Sequence, residues 1–205
     1  MTRDKVNPLR RWLTALGTAL ETSLRKFTNG TDYGRWGDGS NSSPNWDSRT
    51  RYMATLIKPG AVVLEFGAGR MLLRDSLPEG CKYVPSDLVD RGNGTIVCDL
   101  NAKWLPEFPR DCDTAVFSGV LEYVHDVQRI ISHISFVQTV VASYVVTDIK
   151  PNRLARLASG WVNDYSSAGI KEIFLKAGFR CDHVETFESQ EIFRFVRAYC
   201  DPTVA

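Results

Sequence analysis

Short apolar runs alternate along the chain with stretches of helical spacing, and this alternation predicts an α/β fold. The runs are bounded by glycine, proline and small polar residues, as strands usually are. They predict seven strands, at residues 61–66, 82–87, 95–98, 113–118, 138–147, 180–187 and 191–197. Between them, helices are predicted at residues 71–77, 125–135 and 166–177.

The lengths of the connections decide how the predicted strands pair. The earlier connections are long enough for crossovers between parallel strands, whereas a few polar residues between the last two strands force an antiparallel hairpin. We therefore expect an α/β three-layer sandwich: a seven-stranded, mostly parallel sheet with an antiparallel last strand, preceded by an N-terminal helical extension.

Residues 1–28 predict a short polar tail followed by an amphipathic helix, with Asn7 and Pro8 at its start. Residues 1–26 contain six basic and two acidic residues, a net charge of +4. Such a helix fits peripheral contact with a membrane surface, contact with a partner, or packing on its own domain, and the sequence favours packing. One face holds the apolar residues Leu9, Trp12, Leu13, Leu16, Leu20, Leu24 and Phe27.

Residues 29–48 are rich in Gly, Ser, Asn and Pro, which predicts a loop. The loop also carries Tyr33, Trp36 and Trp46, which either close over a ligand as a lid or fasten the loop to the surface. A helix is predicted from Asp47 to Ile57. We accordingly divide the chain into an extension, residues 1–48, and a main domain, residues 49–205.

Composition narrows the functional class. The 205 residues suit one α/β domain, and a net charge of +1 does not favour nucleic acid as a partner. No apolar run reaches the ~20 residues that span a bilayer, and no secretory signal is apparent. Five widely spaced cysteines without a C-x-x-C, and three histidines without ligand spacing, argue against disulfides and metal. We expect a cytoplasmic protein without a metal site.

One stretch carries the strongest chemical signal. A buried strand at residues 61–66 leads into a turn with Gly67 and Gly69, and the next strand ends in Asp87, 22 residues after Glu65. A glycine turn followed by an acidic residue marks a nucleotide-type site at the carboxyl ends of parallel strands.

The same stretch argues against a dinucleotide. A dinucleotide site normally has a third glycine where this chain has Leu72. The carboxylate of Glu65 would repel a pyrophosphate but suits a ligand with positive charge. The sequence therefore favours a cationic nucleoside.

At these residues the chain resembles the class I S-adenosylmethionine-dependent methyltransferases, over about Tyr52 to Arg197. The likeness rests on residues 63–69, Asp87, residues 98–100 and residues 117–124 in the family's order, although Tyr123 stands where the family often has histidine. The resemblance implies that Asp87 binds the ribose and that Asp99 meets the adenine amino group of S-adenosylmethionine. The implied cofactor residues are Glu65, Gly67, Ala68, Gly69, Asp87, Leu88, Asp99, Leu100, Ser118 and Gly119.

Methyl transfer from a sulfonium needs alignment of the acceptor and, for a hydroxyl or ammonium acceptor, a base. His125, just beyond the fourth strand, and Asp148, next after the fifth, are the candidate catalytic residues. Tyr123, Asp164 and Tyr165 are further candidates by position.

The acceptor is less determined than the cofactor. Aromatic walls from Tyr33, Trp36, Trp46 and Trp161 fit a sugar, a ring or an apolar tail, and Lys150, Arg153 and Arg156 either meet an anionic substrate group or are solvated. With no inserted recognition element, a small molecule or glycan is favoured over nucleic acid. A nicotinamide-dependent oxidoreductase and a non-catalytic binding subunit stay open as alternatives, and the sequence does not determine the oligomeric state.

Overall fold

One seven-stranded sheet organises the part of the chain that the computed structural model describes, residues 8–38 and 46–198. The strand order is β3-β2-β1-β4-β5-β7-β6. Neighbours from β3 to β5 are parallel, whereas β7 is antiparallel to both β5 and β6, which confirms the predicted sheet. The strands are β1 Val62–Phe66, β2 Lys82–Asp87, β3 Ile96–Val97, β4 Thr114–Ser118, β5 Thr139–Tyr144, β6 Phe179–Phe187 and β7 Gln190–Arg197.

Helices cover both faces of this sheet and precede it. The short helices α2 and α5 were not predicted, because neither is long enough to show an apolar period. The side chain of Asn152 caps α5 by accepting from the Ala155 N–H at 2.9 Å. The helices are α1 Pro8–Thr28, α2 Tyr33–Trp36, α3 Asp47–Ala54, α4 Val127–His133, α5 Arg153–Ala158 and α6 Ser167–Lys176.

The helix predicted at residues 71–77 is wrong. This segment forms only a 3-10 turn, Arg74–Ser76. Met71 has φ of 57°, a left-handed conformation that an α-helix cannot contain, and Leu77 is extended ahead of Pro78. The β1–β2 connection therefore presents no α-helical N-terminus to a ligand.

The central strands are apolar on both faces because both faces are covered. Val63 of β1 packs with Met53 of α3 and Leu73 on one side of the sheet. Leu64 and Phe66 face the other side, where the main cluster includes residues from α4 and α6. The three-layer architecture follows from this division.

The N-terminal helix α1 packs on α5, in line with the expectation that it packs on its own domain. Most of its apolar face takes no part in this contact. The residues it buries are Ala19 and Thr22, and Lys26 forms an ion pair with Asp164 at 2.9 Å. Six of the seven apolar residues are exposed to solvent, and Leu16 is half-buried. Among the described residues, no helix is long and apolar enough to cross a bilayer.

Candidate functional site

A cavity of about 670 Å³ lies at the carboxyl ends of β1, β2, β4 and β5. Open α/β sheets bind ligands at this edge, where the strand order reverses between β1 and β4. All the cofactor residues that the sequence predicted line this one cavity: Glu65, Gly67, Ala68, Gly69, Asp87, Leu88, Asp99, Leu100, Ser118 and Gly119.

The turn after β1 requires its glycines. Gly67 and Gly69 have φ of 68° and 50°, and a Cβ at Gly67 would lie 2.6 Å from Cγ2 of Val120. The Gly69 N–H donates to Oδ2 of Asp87 at 2.8 Å. The turn and the end of β2 are thus fixed to each other before any ligand arrives.

Asp87 and Asp99 are the acidic residues at the ends of β2 and β3. Asp87 is buried, and its Oδ1 lies 3.3 Å from the guanidinium of Arg91. Asp99 accepts from the hydroxyl of Thr31 at 2.6 Å and from that of Tyr33 at 3.1 Å. The segment before the main domain is therefore fastened to a predicted cofactor residue.

Glu65 is buried at the end of β1, and the hydroxyl of Tyr83 donates to its carboxyl group. Burial raises the pKa of Glu65 to about 8, and the nearby charge of Asp87 acts in the same direction. At neutral pH this carboxyl group is mostly protonated. The negative charge that the sequence suggested at Glu65 is thus largely absent from the ligand-free cavity at neutral pH.

Arg49 of α3 is a cavity residue that sequence reasoning missed. Arg49 is 9% exposed, and its guanidinium donates to Ser118 O and Oγ at 3.2 Å and to Gln190 Oε1 at 3.3 Å. Burial lowers the pKa of Arg49, opposed by the charges of Glu122 and Glu188. Within residues 8–38 and 46–198, no carboxylate is within ion-pair distance of it, so the site holds a cation suited to an anionic group of a ligand. No motif marks this position, because only the packing of α3 brings it to β4.

Aromatic side chains form the other side of the cavity. The rings of Trp36 and Tyr123 meet edge to face with centroids 4.8 Å apart, and Trp161 Nε1 donates to the Tyr123 hydroxyl at 3.3 Å. Trp46 also lines the cavity, whereas Tyr33 is exposed and bonded to Asp99. The tyrosine of the 29–48 loop fastens the segment to the domain, and its tryptophans border the cavity. Closure of the loop over a ligand stays a prediction.

The predicted catalytic residues are not brought to this cavity. His125 contacts the carbonyl oxygen of Gly30 through Nε2 at 3.1 Å, and Asp148 accepts from the Ser167 N–H at 2.8 Å. Neither lines the cavity, and their catalytic role stays a prediction. Tyr123 does line it, and burial raises its pKa to about 12.

A carboxyl group also lies at the aromatic end of the cavity. Glu122 is buried, and its Oε1 accepts from the Val145 N–H at 2.9 Å. Burial raises the pKa of Glu122. The bond to Val145 makes Glu122 a link between the end of β4 and the end of β5, a role that the sequence did not indicate.

The three basic residues after β5 have separate roles. Lys150 lines the cavity, with its Nζ 4.5 Å from the centroid of the Trp161 ring. Arg156 is 1% exposed and donates to Asp164 at 2.8 Å and Val145 O at 2.7 Å, so it holds the connection together. Arg153 is exposed on α5. Of the three, Lys150 is the one positioned to meet a ligand.

The fold and the site define a class: an α/β protein that binds a nucleoside cofactor at the switch point of its sheet. A family model described as a methyltransferase domain matches residues 40–184, well over half of the chain. The chain therefore belongs to this family and is an S-adenosylmethionine-dependent methyltransferase. No curated protein matches the sequence.

Solved structures share the fold at low identity. An O-methyltransferase from neocarzinostatin biosynthesis, in complex with S-adenosylmethionine and 2-hydroxy-5-methyl naphthoic acid, is 16% identical, with a TM-score of 0.62 over 95% of this chain and 75% of that one. The 1,6-didemethyltoxoflavin N1-methyltransferase of Burkholderia thailandensis is 17% identical, with a TM-score of 0.58 over 97% and 94%. The magnesium protoporphyrin IX methyltransferase of Synechocystis is 19% identical, with a TM-score of 0.52 over 86% and 98%. At these identities the likeness shows the fold alone.

Proposed function

We propose that this protein transfers the methyl group of S-adenosylmethionine to a hydroxyl or similar group of a small molecule or glycan. The observation that carries the proposal is one continuous cavity, lined on one side by the glycine turn and the strand-end aspartates and on the other by Trp36, Tyr123 and Trp161. Cofactor and acceptor would then meet in one shared cavity, as in-line transfer needs.

The cofactor side of the cavity fits the parts of S-adenosylmethionine. Asp87 and Asp99 would accept hydrogen bonds from the ribose hydroxyls and the adenine amino group, and the glycine turn leaves room for the backbone to approach. We assign Arg49 to the carboxylate of the methionine portion, since it is a buried cation without a carboxylate partner among the described residues. That assignment neutralises a charge that is costly to bury alone.

When bound, the cofactor supplies a sulfonium methyl group that is already activated for displacement. The chain's own contribution is alignment and the exclusion of water. The lid residues Trp36 and Trp46, with Trp161, would hold a flat or apolar acceptor against the methyl group. A small-molecule acceptor also agrees with the ring-containing molecules named for the neocarzinostatin and toxoflavin neighbours.

The proposal also includes how the chain divides into domains and where the protein lies in the cell. We place an extension at residues 1–48 before a catalytic domain at residues 49–205, and the protein in the cytoplasm. The bonds of Thr31 and Tyr33 to Asp99 hold this part of the extension beside the cavity and support its role as a cap.

Mass spectrometry of small molecules that co-purify with the protein tests the cofactor. We expect S-adenosylmethionine or S-adenosylhomocysteine in the native protein and a loss of both in Asp87→Ala. The acceptor is found by incubating the protein with methyl-labelled cofactor and fractions of cell extract. Label transfer into a small-molecule or glycan fraction supports the proposal. Cofactor binding without transfer in any fraction would instead support a non-catalytic subunit.

A further inference from the structure

The helix α1 presents an apolar face that the described part of the chain leaves exposed. Isolated apolar residues are common on protein surfaces, but a contiguous row of large ones is not. Leu9, Trp12, Leu13, Leu20, Leu24 and Phe27 share one side of the helix and are 55% to 88% exposed.

The contacts along one flank of α1, beside the apolar face, hold that face outward. Ala19 and Thr22 are buried against the domain, where α1 packs on α5. At the end of the helix, Arg25 pairs with Asp32 at 2.9 Å and Lys26 pairs with Asp164 at 2.9 Å. The helix cannot turn its apolar face onto the domain without breaking these contacts.

The charge of the N-terminal segment indicates what kind of surface would cover the apolar face. Residues 1–28 contain six basic and two acidic residues. Arg25 and Lys26 are paired with Asp32 and Asp164, and the other four basic and two acidic residues leave a net charge of +2. Pairing with a second copy would bring two positively charged helices together, whereas an anionic surface complements the charge.

The shape of the face points to the same occupant. At 100° per residue, the apolar positions from Trp12 to Leu24 span about 120° of the helix, wider than the two-position seam that a helix pair uses. Trp12 and Phe27 on this face, with Arg10 beside it, are the combination found in helices that lie in a lipid interface.

We propose that α1 docks flat on an anionic lipid bilayer, with its apolar face at the boundary between headgroups and acyl chains. The helix α5, on which α1 packs, leads into Ala158 and Ser159 of the cavity lining. The contact with α5 therefore connects the docking helix to the lining of the cavity. This docking does not depend on the methyl-transfer proposal.

Vesicle co-sedimentation tests the docking. The full chain is mixed with phosphatidylcholine vesicles that contain or lack phosphatidylglycerol. We expect binding to the anionic vesicles, and at least about tenfold weaker binding for the Trp12→Ser/Leu20→Ser variant, since each side chain contributes apolar burial. Trp104→Ser is the matched control, because Trp104 is 79% exposed outside α1, and it should bind like the wild type.

Three results would overturn the docking proposal, the first two of them in the vesicle assay. One is a wild-type protein that does not sediment with anionic vesicles, and another is a Trp12→Ser/Leu20→Ser variant that binds as well as the wild type. The third is a wild-type dimer in analytical ultracentrifugation that this variant converts to a monomer, which would assign the face to a second copy. Melting temperatures of the variants, compared with the wild type, establish that each is folded.

Discussion

The backbone N–H of Gly69 donates a hydrogen bond to Oδ2 of Asp87 at 2.8 Å. This bond joins the turn after β1 to the end of β2, two elements that are neighbours in the sheet. The carboxylate of Asp87 thus shapes the glycine turn, and we expect its remaining lone pairs to accept hydrogen bonds from the cofactor. The turn is therefore formed in advance, which lowers the ordering cost of binding.

Replacing Asp87 should weaken cofactor binding more than it weakens the fold. In Asp87→Asn we expect S-adenosylmethionine to bind about 10- to 100-fold less tightly, because hydrogen bonds to a charged group are worth about 1.5–3 kcal/mol. Isothermal titration calorimetry measures the change. Asp75→Asn, an exposed carboxylate outside the cavity, is the control, and equal losses in both variants would contradict the role of Asp87.

Gly67→Ala should destabilise the protein for two separable reasons. The added Cβ would meet Val120 Cγ2, and alanine is strained at the φ of 68°. We expect a loss of about 1–3 kcal/mol, measured by chemical denaturation. Gly60→Ala measures the cost of the backbone strain alone, because Gly60 has φ of 76° and no atom lies within 4 Å of the new Cβ. Similar losses at both glycines would mean that the contact with Val120 contributes nothing.

Cofactor affinity should rise with pH in a way that depends on Glu65. The folded, ligand-free protein has a Glu65 pKa of about 8, so below that pH a cationic ligand must displace a proton. We expect affinity for S-adenosylmethionine to increase from about pH 6 to about pH 8 and then level off. Titrations in buffers of different ionisation enthalpy should show the released proton. In Glu65→Gln both effects should disappear; a slope that persists would assign them to another group.

The same shift makes a prediction about stability. The folded state holds the Glu65 proton up to a pKa of about 8, whereas the unfolded chain loses it near the ordinary value of 4.5. The stability from this group is therefore full below pH 4.5 and is lost as the pH rises toward 8. Melting curves should show that the difference between Glu65→Gln and the wild type grows in favour of the variant across this range.

Arg49 should act on one part of the cofactor only. We expect Arg49→Gln to weaken binding of S-adenosylmethionine by about tenfold or more, by loss of a charge-assisted bond. Decarboxylated S-adenosylmethionine has no carboxylate for Arg49 to meet, so the variant and the wild type should bind it alike. Calorimetric titration with the two compounds tests this prediction. An equal loss of affinity for both would show that Arg49 supports Ser118 and does not contact the carboxylate.

The side of the cavity that holds the glycine turn and the strand-end aspartates was predictable because its signals are local. A strand, a glycine turn and an acidic strand end fix their own geometry, and parallel pairing then brings Gly69, Asp87 and Asp99 to one edge. Arg49 and Glu122 had no such signal, since their positions depend on how α3 and the ends of β4 and β5 pack.

The errors had physical causes as well. The α-helix expected after the glycine turn failed at Met71, whose left-handed backbone the apolar pattern cannot reveal. The apolar spacing of α1 predicted the helix correctly, but the residues that the helix buries against the domain are the small ones, Ala19 and Thr22. Periodicity shows that a helix has an apolar face, but it does not show what covers that face.

Calorimetric titration of the purified protein with S-adenosylmethionine and, separately, with NAD tests the account most directly. The account predicts one-to-one binding of S-adenosylmethionine, a loss of that binding in Asp87→Ala, and no binding of NAD. Binding of NAD with no heat from S-adenosylmethionine would contradict it.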